Sequence, residues 1–259
     1  MVSETSGKQF ITIVLIIIII LVVVNYGIKK DVEVPVSPDS IKIANWNLQI
    51  YGDSKAHLNP VYASKIKDYD IIFIQEIRDI DGSTFKSLCA SLPYHNCIVS
   101  SRAGRTDSKE QYGLLYKKSL PEPSFIDLNP DTLDRWERPP IIVTFPLNKY
   151  NLTIINIHVK PDDVKKELGY LDGISTNVYT MIIGDLNADC NYYNPATETE
   201  LDSWNWLIEE DTTQGRSVCI YDQIIVSPLL LSWVENTGVY TNVTRNESDH
   251  YLIWAELRN

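Results

Sequence analysis

Acidic and histidine residues at the ends of apolar runs carry the chemistry this sequence can do. DIIFIQ (70–75) runs into Glu76, LTIINI (152–157) into His158, and TMIIG (180–184) into Asp185. Two further runs start directly after polar residues: QIIVS (223–227) follows Asp222, and YLIWAEL (251–257) follows Asp249 and His250. Carboxylates and Asn carbonyls are hard oxygen donors suited to Mg²⁺, Mn²⁺ or Ca²⁺. A zinc site would use several His or Cys at short spacing, and the sequence holds no such cluster. A histidine beside a carboxylate works as general base or acid, with the carboxylate fixing its tautomer. These are the parts of metal-assisted phosphodiester hydrolysis.

The elements that must position these residues are short β-rich runs alternating with more polar helical stretches. Strands are expected at 41–46, 70–75, 112–116, 140–145, 152–157, 180–184, 223–227 and 251–257. Helices are expected at 60–67, 82–91, 162–170 and 199–208. Many strands with few strict βαβ repeats predict an α/β (α+β) fold of two packed mixed sheets with helices outside, a four-layer sandwich. Strands running in opposite directions bring C-termini and N-termini to one sheet edge, so the five polar signals can meet there.

The chain has 259 residues, with 34 acidic against 23 basic side chains and a net charge of −11. That balance excludes a protein that coats nucleic acid by bulk electrostatics, which needs surplus Lys and Arg. It leaves room for an enzyme that touches phosphates at one local site. Residues 10–28, opening FITIVLIIIIILVVV, read as a transmembrane helix: about 19 residues at roughly 1.5 Å each cross a bilayer core. No small-residue cleavage pattern follows, which favours an uncleaved anchor over a signal peptide. The expected organisation is a tail (1–9), the anchor (10–28), a Pro-containing stalk (29–40) and one domain (41–258). Lys29 and Lys30 follow the anchor, so charge alone does not place the domain outside. Asn151, Asn242 and Asn246 each open an Asn-x-Ser/Thr sequon and argue for the outside.

GDLNADC (184–190), YDQIIVS (221–227) and SDHYLIWAEL (248–257) resemble the endonuclease/exonuclease/phosphatase superfamily. IKIANWNLQIYGDSKA (41–56), DIIFIQEIRD (70–79), GRTDSKEQY (104–112), RPPIIVTF (138–145), HVKPDDV (158–164) and WLIEEDTTQ (206–214) resemble, in order, its deoxyribonuclease I branch. The resemblance implies a metal shell of Glu76, Asn47, Asp249 and Asp185 for Mg²⁺ or Mn²⁺. It implies that His250, oriented by Asp222, activates water, and that His158, partnered by Glu110, serves the leaving 3′ oxygen. The acid and base roles within this pair are exchangeable. Asp185 and Asn187 are two apart, so in an extended segment both face one way. One then supplies charge for a metal and the other a hydrogen bond to phosphate. Arg78, Arg138 and Asn187 are the implied phosphate contacts, since a guanidinium fork suits paired phosphate oxygens.

The same resemblance implies a Cys190–Cys219 disulfide and a structural Ca²⁺ at Asp211 and Thr213. A stable disulfide belongs in an oxidising compartment, a second argument for an extracytoplasmic domain. Cys89 and Cys97 have no counterpart and read equally as a local bridge or as two buried thiols. His57 and His95 read as loop residues. Gln49 stands where the branch typically has Arg, and Ser108 where it typically has Tyr, so two DNA contacts are missing. The expected activity is a largely sequence-nonspecific DNA endonuclease leaving 5′-phosphate ends, membrane-anchored and monomeric, with no protein partner evident. The alternatives are a phosphatase or phospholipid phosphodiesterase of the same superfamily, or a catalytically silent binding module on this fold.

Overall fold

The computed structural model describes residues 39–174 and 177–259. The expected tail, anchor and nearly all of the stalk lie outside the described residues. Among the described residues no helix is long and apolar enough to cross a membrane.

Among the described residues, twelve strands form two six-stranded sheets. The first contains β1 (Ser40–Tyr51), β2 (Ile71–Ile77), β3 (His95–Val99), β4 (Gln111–Lys117), β11 (Val234–Tyr240) and β12 (Leu252–Arg258), in the order β11-β12-β1-β2-β4-β3. The second contains β5 (Ser124–Asp127), β6 (Ile141–Pro146), β7 (Asn151–Asn156), β8 (Thr180–Asp185), β9 (Asn205–Trp206) and β10 (Asp222–Val226), in the order β5-β6-β7-β8-β10-β9. Each sheet is mixed: β1–β2 and β7–β8 are parallel, and their other neighbours antiparallel.

Strand periodicity explains the layers. Alternate residues Ile41, Ile43, Ile71, Phe73, Met181, Ile183 and Ile224 fill the core between the sheets. The intervening Ala44, Trp46, Ile72 and Ile74 face helices α1 (Asn59–Ile66) and α2 (Ser83–Ala90), packing on Tyr62, Ile66, Phe85 and Leu88. On the far side, Ile155, Ile182 and Ile225 meet Leu168 and Leu171 of α3 (Val164–Asp172). A strand buried on both faces must be apolar at every position, which is why these runs read as continuous Ile/Leu blocks. A four-residue helix, α4 (Pro228–Leu231), follows β10.

Three helices form where expected, but 199–208 does not. It makes turns and then β9, because Leu207 N donates to Ile224 O and Trp206 pairs with Ile225 of β10. Sheet pairing here overrides local helix propensity. Strands β3, β5 and β11 were not anticipated, and all three lie at or beside sheet edges where apolar alternation is weak. His95, expected in a loop, opens β3 with its Nε2 3.0 Å from Tyr69 O. The domain also reaches one residue past each expected boundary, since Ser40 opens β1 and Asn259 N donates to Asp39 O.

Candidate active site

The polar residues sit on the same alternating positions as the core, one step further along each strand. Asn45 and Asn47 continue Ile41 and Ile43, Gln75 continues Ile71 and Phe73, and Asp185 continues Met181 and Ile183. Glu110, Asp222 and His158 extend β4, β10 and β7 in the same way. β4, β10 and β12 run antiparallel to the others, so their beginnings meet the ends of β1, β2, β7 and β8. The cleft between the two sheets therefore turns from apolar to polar at this edge.

Asp185 lies at its centre. Asn47 Nδ2 donates to Asp185 Oδ2 at 3.0 Å and to Glu76 Oε1 at 3.1 Å. His158 Nδ1 donates to Glu110 Oε2 at 2.9 Å, and His250 Nδ1 to Asp222 Oδ2 at 2.7 Å. A carboxylate only accepts, so each Nδ1 carries the proton and each Nε2 is left for chemistry. Both Nε2 atoms turn to one oxygen, Asp185 Oδ2, at 3.4 and 3.6 Å.

Charge sets the protonation of both pairs. Burial would raise the Glu110 carboxyl, but His158, Arg138 and Arg78 outweigh it and hold it at about 2. Burial works against the His250 imidazolium, yet the charges of Asp222 and Asp185 prevail and push it up to about 10. Complete burial raises Asp222 above the usual carboxylate range, with His250 opposing.

Two strand irregularities shape this end of the sheets. The β1–β2 register shifts between Asn47 and Tyr51, and the β2–β4 register between Ile74 and Ile77. Gln49, Ile50 and Glu76 there adopt positive φ of 46°, 55° and 59°. Non-glycine residues held in this region store strain, and such residues cluster at functional sites. Asn187 also has φ of 50°, so the expected extended Asp185–Asn187 segment does not form. Its side chain instead donates to Val159 O at 2.9 Å, and its N–H to Asp185 Oδ1 at 3.1 Å.

The remaining expected residues are placed as follows. Arg138 uses all three guanidinium nitrogens, on His158 O, Glu110 Oε1 and Val159 O, and so braces the His158–Glu110 pair. Arg78 contacts Glu76 at 3.1 Å and Glu110 at 3.6 Å, and its Nε has no partner. Gln49 donates from Nε2 to Asp249 Oδ2 at 2.8 Å, tying down a carboxylate rather than a phosphate. Asp211 Oδ1 accepts from the N–H groups of Thr213 and Cys219, both at 3.1 Å. The Cys190–Cys219 disulfide forms, and Cys89 pairs with Cys97. Thr213 bridges to His250 in antiparallel fashion, so the disulfide-held loop is joined to the segment carrying Asp249 and His250.

Of the expected metal shell, Glu76, Asp185 and Asp249 offer carboxylate oxygens suited to a divalent cation, whereas Asn47 turns its Nδ2 to Glu76 and Asp185 and its Oδ1 accepts from Gln49 N at 2.9 Å. Asp249 Oδ1 is buried without a hydrogen-bond partner, an arrangement that a bound cation would relieve. The Glu76–Glu110–His158 and Asp185–Asp222–His250 groups each bring three donor atoms within 4.8 Å.

Residues 44–250 match the Endonuclease/Exonuclease/phosphatase family. The chain belongs to this family. Deoxyribonuclease-1-like 2 of Mus musculus is 31% identical over 213 residues, covering 73% of this chain and 77% of that protein. Deoxyribonuclease-1 of Homo sapiens is 30% identical over 263 residues, covering 85% of this chain and 93% of that protein. Among solved structures, a Bacteroides thetaiotaomicron mannosyl-6-phosphatase shares the fold with a TM-score of 0.59 at 18% identity, covering 85% of this chain and 100% of that chain. This family member is a hydrolase acting on phosphodiester bonds.

Sequence reasoning missed a buried amide seam beneath the site. Gln75 Nε2 donates to Ile157 O at 2.8 Å, and Gln75 Oε1 accepts from Asp185 N at 2.9 Å and Asn45 Nδ2 at 3.2 Å. Asn156 Nδ2 adds bonds to Asn45 Oδ1 and Ile183 O, both at 2.8 Å. The seam ties β2 to the residues just before His158 and Asp185. Its signal was the amide run Asn45, Gln75, Asn156 at core-facing parity. Gln75→Leu strands several buried groups and is expected to cost about 2–4 kcal/mol, measured by urea unfolding. A cost below about 1 kcal/mol would remove the seam from this account.

Proposed function

We propose that the protein is a divalent-metal-dependent, largely sequence-nonspecific DNA endonuclease that leaves 5′-phosphate ends. The observation that carries the reading is the pair of His–carboxylate couples whose Nε2 atoms converge on Asp185. In-line hydrolysis needs a base on one side of phosphorus and an acid on the other. His250 Nε2 takes a proton from water as its oxygen bonds to phosphorus, and Asp222 keeps the ring in position. The bond from phosphorus to the 3′ oxygen breaks, and His158 delivers a proton to that oxygen. Bound at Glu76, Asp185 and Asp249, Mg²⁺ or Mn²⁺ would stabilise the developing phosphate charge and offset the carboxylates that favour the His250 imidazolium. Arg78 is the guanidinium best free to hold a phosphate oxygen, with Asn187 beside Asp185.

The deoxyribonuclease relatives support DNA as substrate, and contacts confined to phosphates position without specifying sequence. The reading also places the domain outside the cytoplasm, tethered through residues 10–28. Two disulfides and exposed sequon residues Asn151, Asn242 and Asn246 support that placement.

The purified full-length chain is expected to nick supercoiled plasmid with Mg²⁺ or Mn²⁺, to stop on adding EDTA, and to leave ends that ligate without phosphorylation. Hydrolysis of sphingomyelin or inositol phosphates without any DNA cleavage would overturn the substrate assignment.

A further inference from the structure

A second acidic group lies beside the active site and takes no part in the mechanism above. Asp53 follows β1, and Asp79 and Asp81 follow β2. Their carboxylates bring one oxygen each within 4.8 Å of the others. They line a cleft of about 520 Å³ together with Ile50, Gly52 and Arg78. The neighbouring cationic side chains are engaged with other groups: Arg102 Nη1 donates to the Asp79 backbone carbonyl at 2.9 Å. Arg78 is turned to Glu76 and Glu110, and Lys86 Nζ meets the Asp81 backbone carbonyl at 3.5 Å.

Asp79 distinguishes this group from an ordinary acidic surface. It is only 6% exposed. Its Oδ2 accepts from Thr84 N at 2.8 Å, while its Oδ1 is buried with no hydrogen-bond partner. A buried carboxylate oxygen without a donor is costly, and two more carboxylates within a few ångströms add repulsion. Asp53 and Asp81 each also have one oxygen engaged, by Thr84 Oγ1 at 3.2 Å and Ser83 N at 2.9 Å, leaving the other available. Gly52 lets the β1 exit approach closely: a Cβ there would meet Asp79 N at 3.3 Å.

We propose that Asp53, Asp79 and Asp81 form a Ca²⁺ site separate from the catalytic metal shell. Three carboxylates in an open, adaptable cleft suit the six to eight oxygen ligands of Ca²⁺ better than the strict octahedron of Mg²⁺. The bound ion joins the loop after Asn47 and Gln49 to the loop after Glu76 and Arg78. It therefore holds the catalytic ligands in register without touching substrate.

Calorimetric titration of Ca²⁺ into the full-length chain, paired with thermal melts, tests this. Asp53→Asn/Asp81→Asn is expected to bind one Ca²⁺ fewer per chain, whereas Glu76→Gln keeps that ion. Without Ca²⁺ the double variant melts above the wild type, because repulsion is relieved. Saturating this site raises the wild-type melting temperature by about 5–10 °C at a hundredfold excess over Kd, a gain the double variant lacks. If the double variant fails to accumulate, Asp81→Asn alone weakens the site at least tenfold. Unchanged Ca²⁺ stoichiometry and an unchanged melting shift in these variants would overturn the proposal, whether or not the chain cleaves DNA.

Discussion

Alanine at His250 or at His158 is expected to lower plasmid cleavage by about 10²–10⁴-fold, with the loss in kcat rather than KM. Each imidazole turns its Nε2 to Asp185 while its carboxylate partner holds Nδ1. Removing either leaves the phosphate contacts and the metal ligands in place, so binding survives and proton transfer does not. The two losses should not multiply, because base and acid serve one transition state and their effects are not additive. His250→Ala also strands the fully buried Asp222, which costs stability independently of catalysis. The variant His250→Ala/Asp222→Asn separates the two effects, since the amide removes the buried charge without restoring a base. A double variant that melts like the wild type and stays inactive assigns the loss to chemistry. Full cleavage by either folded single variant would end the assignment.

The core of the site was legible because strand parity runs on beyond the core. The positions that bury Ile43, Ile154 and Met181 between the sheets present Asn47, His158 and Asp185 a few residues later. Glu76 ends its run off that parity, in the stretch where the β2–β4 register shifts and its φ is 59°. Partnerships at the site were less legible, because they depend on loop conformation rather than on period. Arg138 and Asn187 are implied as phosphate contacts by the family resemblance, whose motifs carry no loop conformation. Backbone carbonyls of His158 and Val159 take up the Arg138 guanidinium, and a left-handed turn carries the Asn187 amide to Val159 O. Gln49 was read as a lost DNA contact, and its bond to Asp249 needs the positive φ at 46° that no pattern announces. The failed helix at 199–208 has the same cause in another form: its backbone partners lie in β10, distant in sequence.

Gly184→Ala is expected to remove most of the folding stability, at least about 4–5 kcal/mol of a total of roughly 5–15 kcal/mol. Gly184 has φ of 154°, outside the range a side chain adopts comfortably. Conformation alone would cost about 1–3 kcal/mol. The larger effect is steric: a Cβ would lie 2.0 Å from Ile157 O and 2.6 Å from Gln75 Nε2. Those two atoms are the bonded pair that ties β2 to the end of β7, at 2.8 Å. The carbonyl cannot retreat without moving His158, the next residue, and the amide cannot retreat without releasing Asp185 N. Glycine before Asp185 thus lets two strands and an amide pack at one point, which fixes the carboxylate that both histidines face. Gly82→Ala isolates the conformational part. Gly82 has φ of 69° but its nearest neighbour to an added Cβ is a Lys86 side-chain carbon at 4.0 Å, so its cost should stay near 1 kcal/mol. Urea unfolding of the two variants side by side measures the difference. If Gly184→Ala melts as Gly82→Ala does and keeps full activity, close strand packing is not what places Asp185.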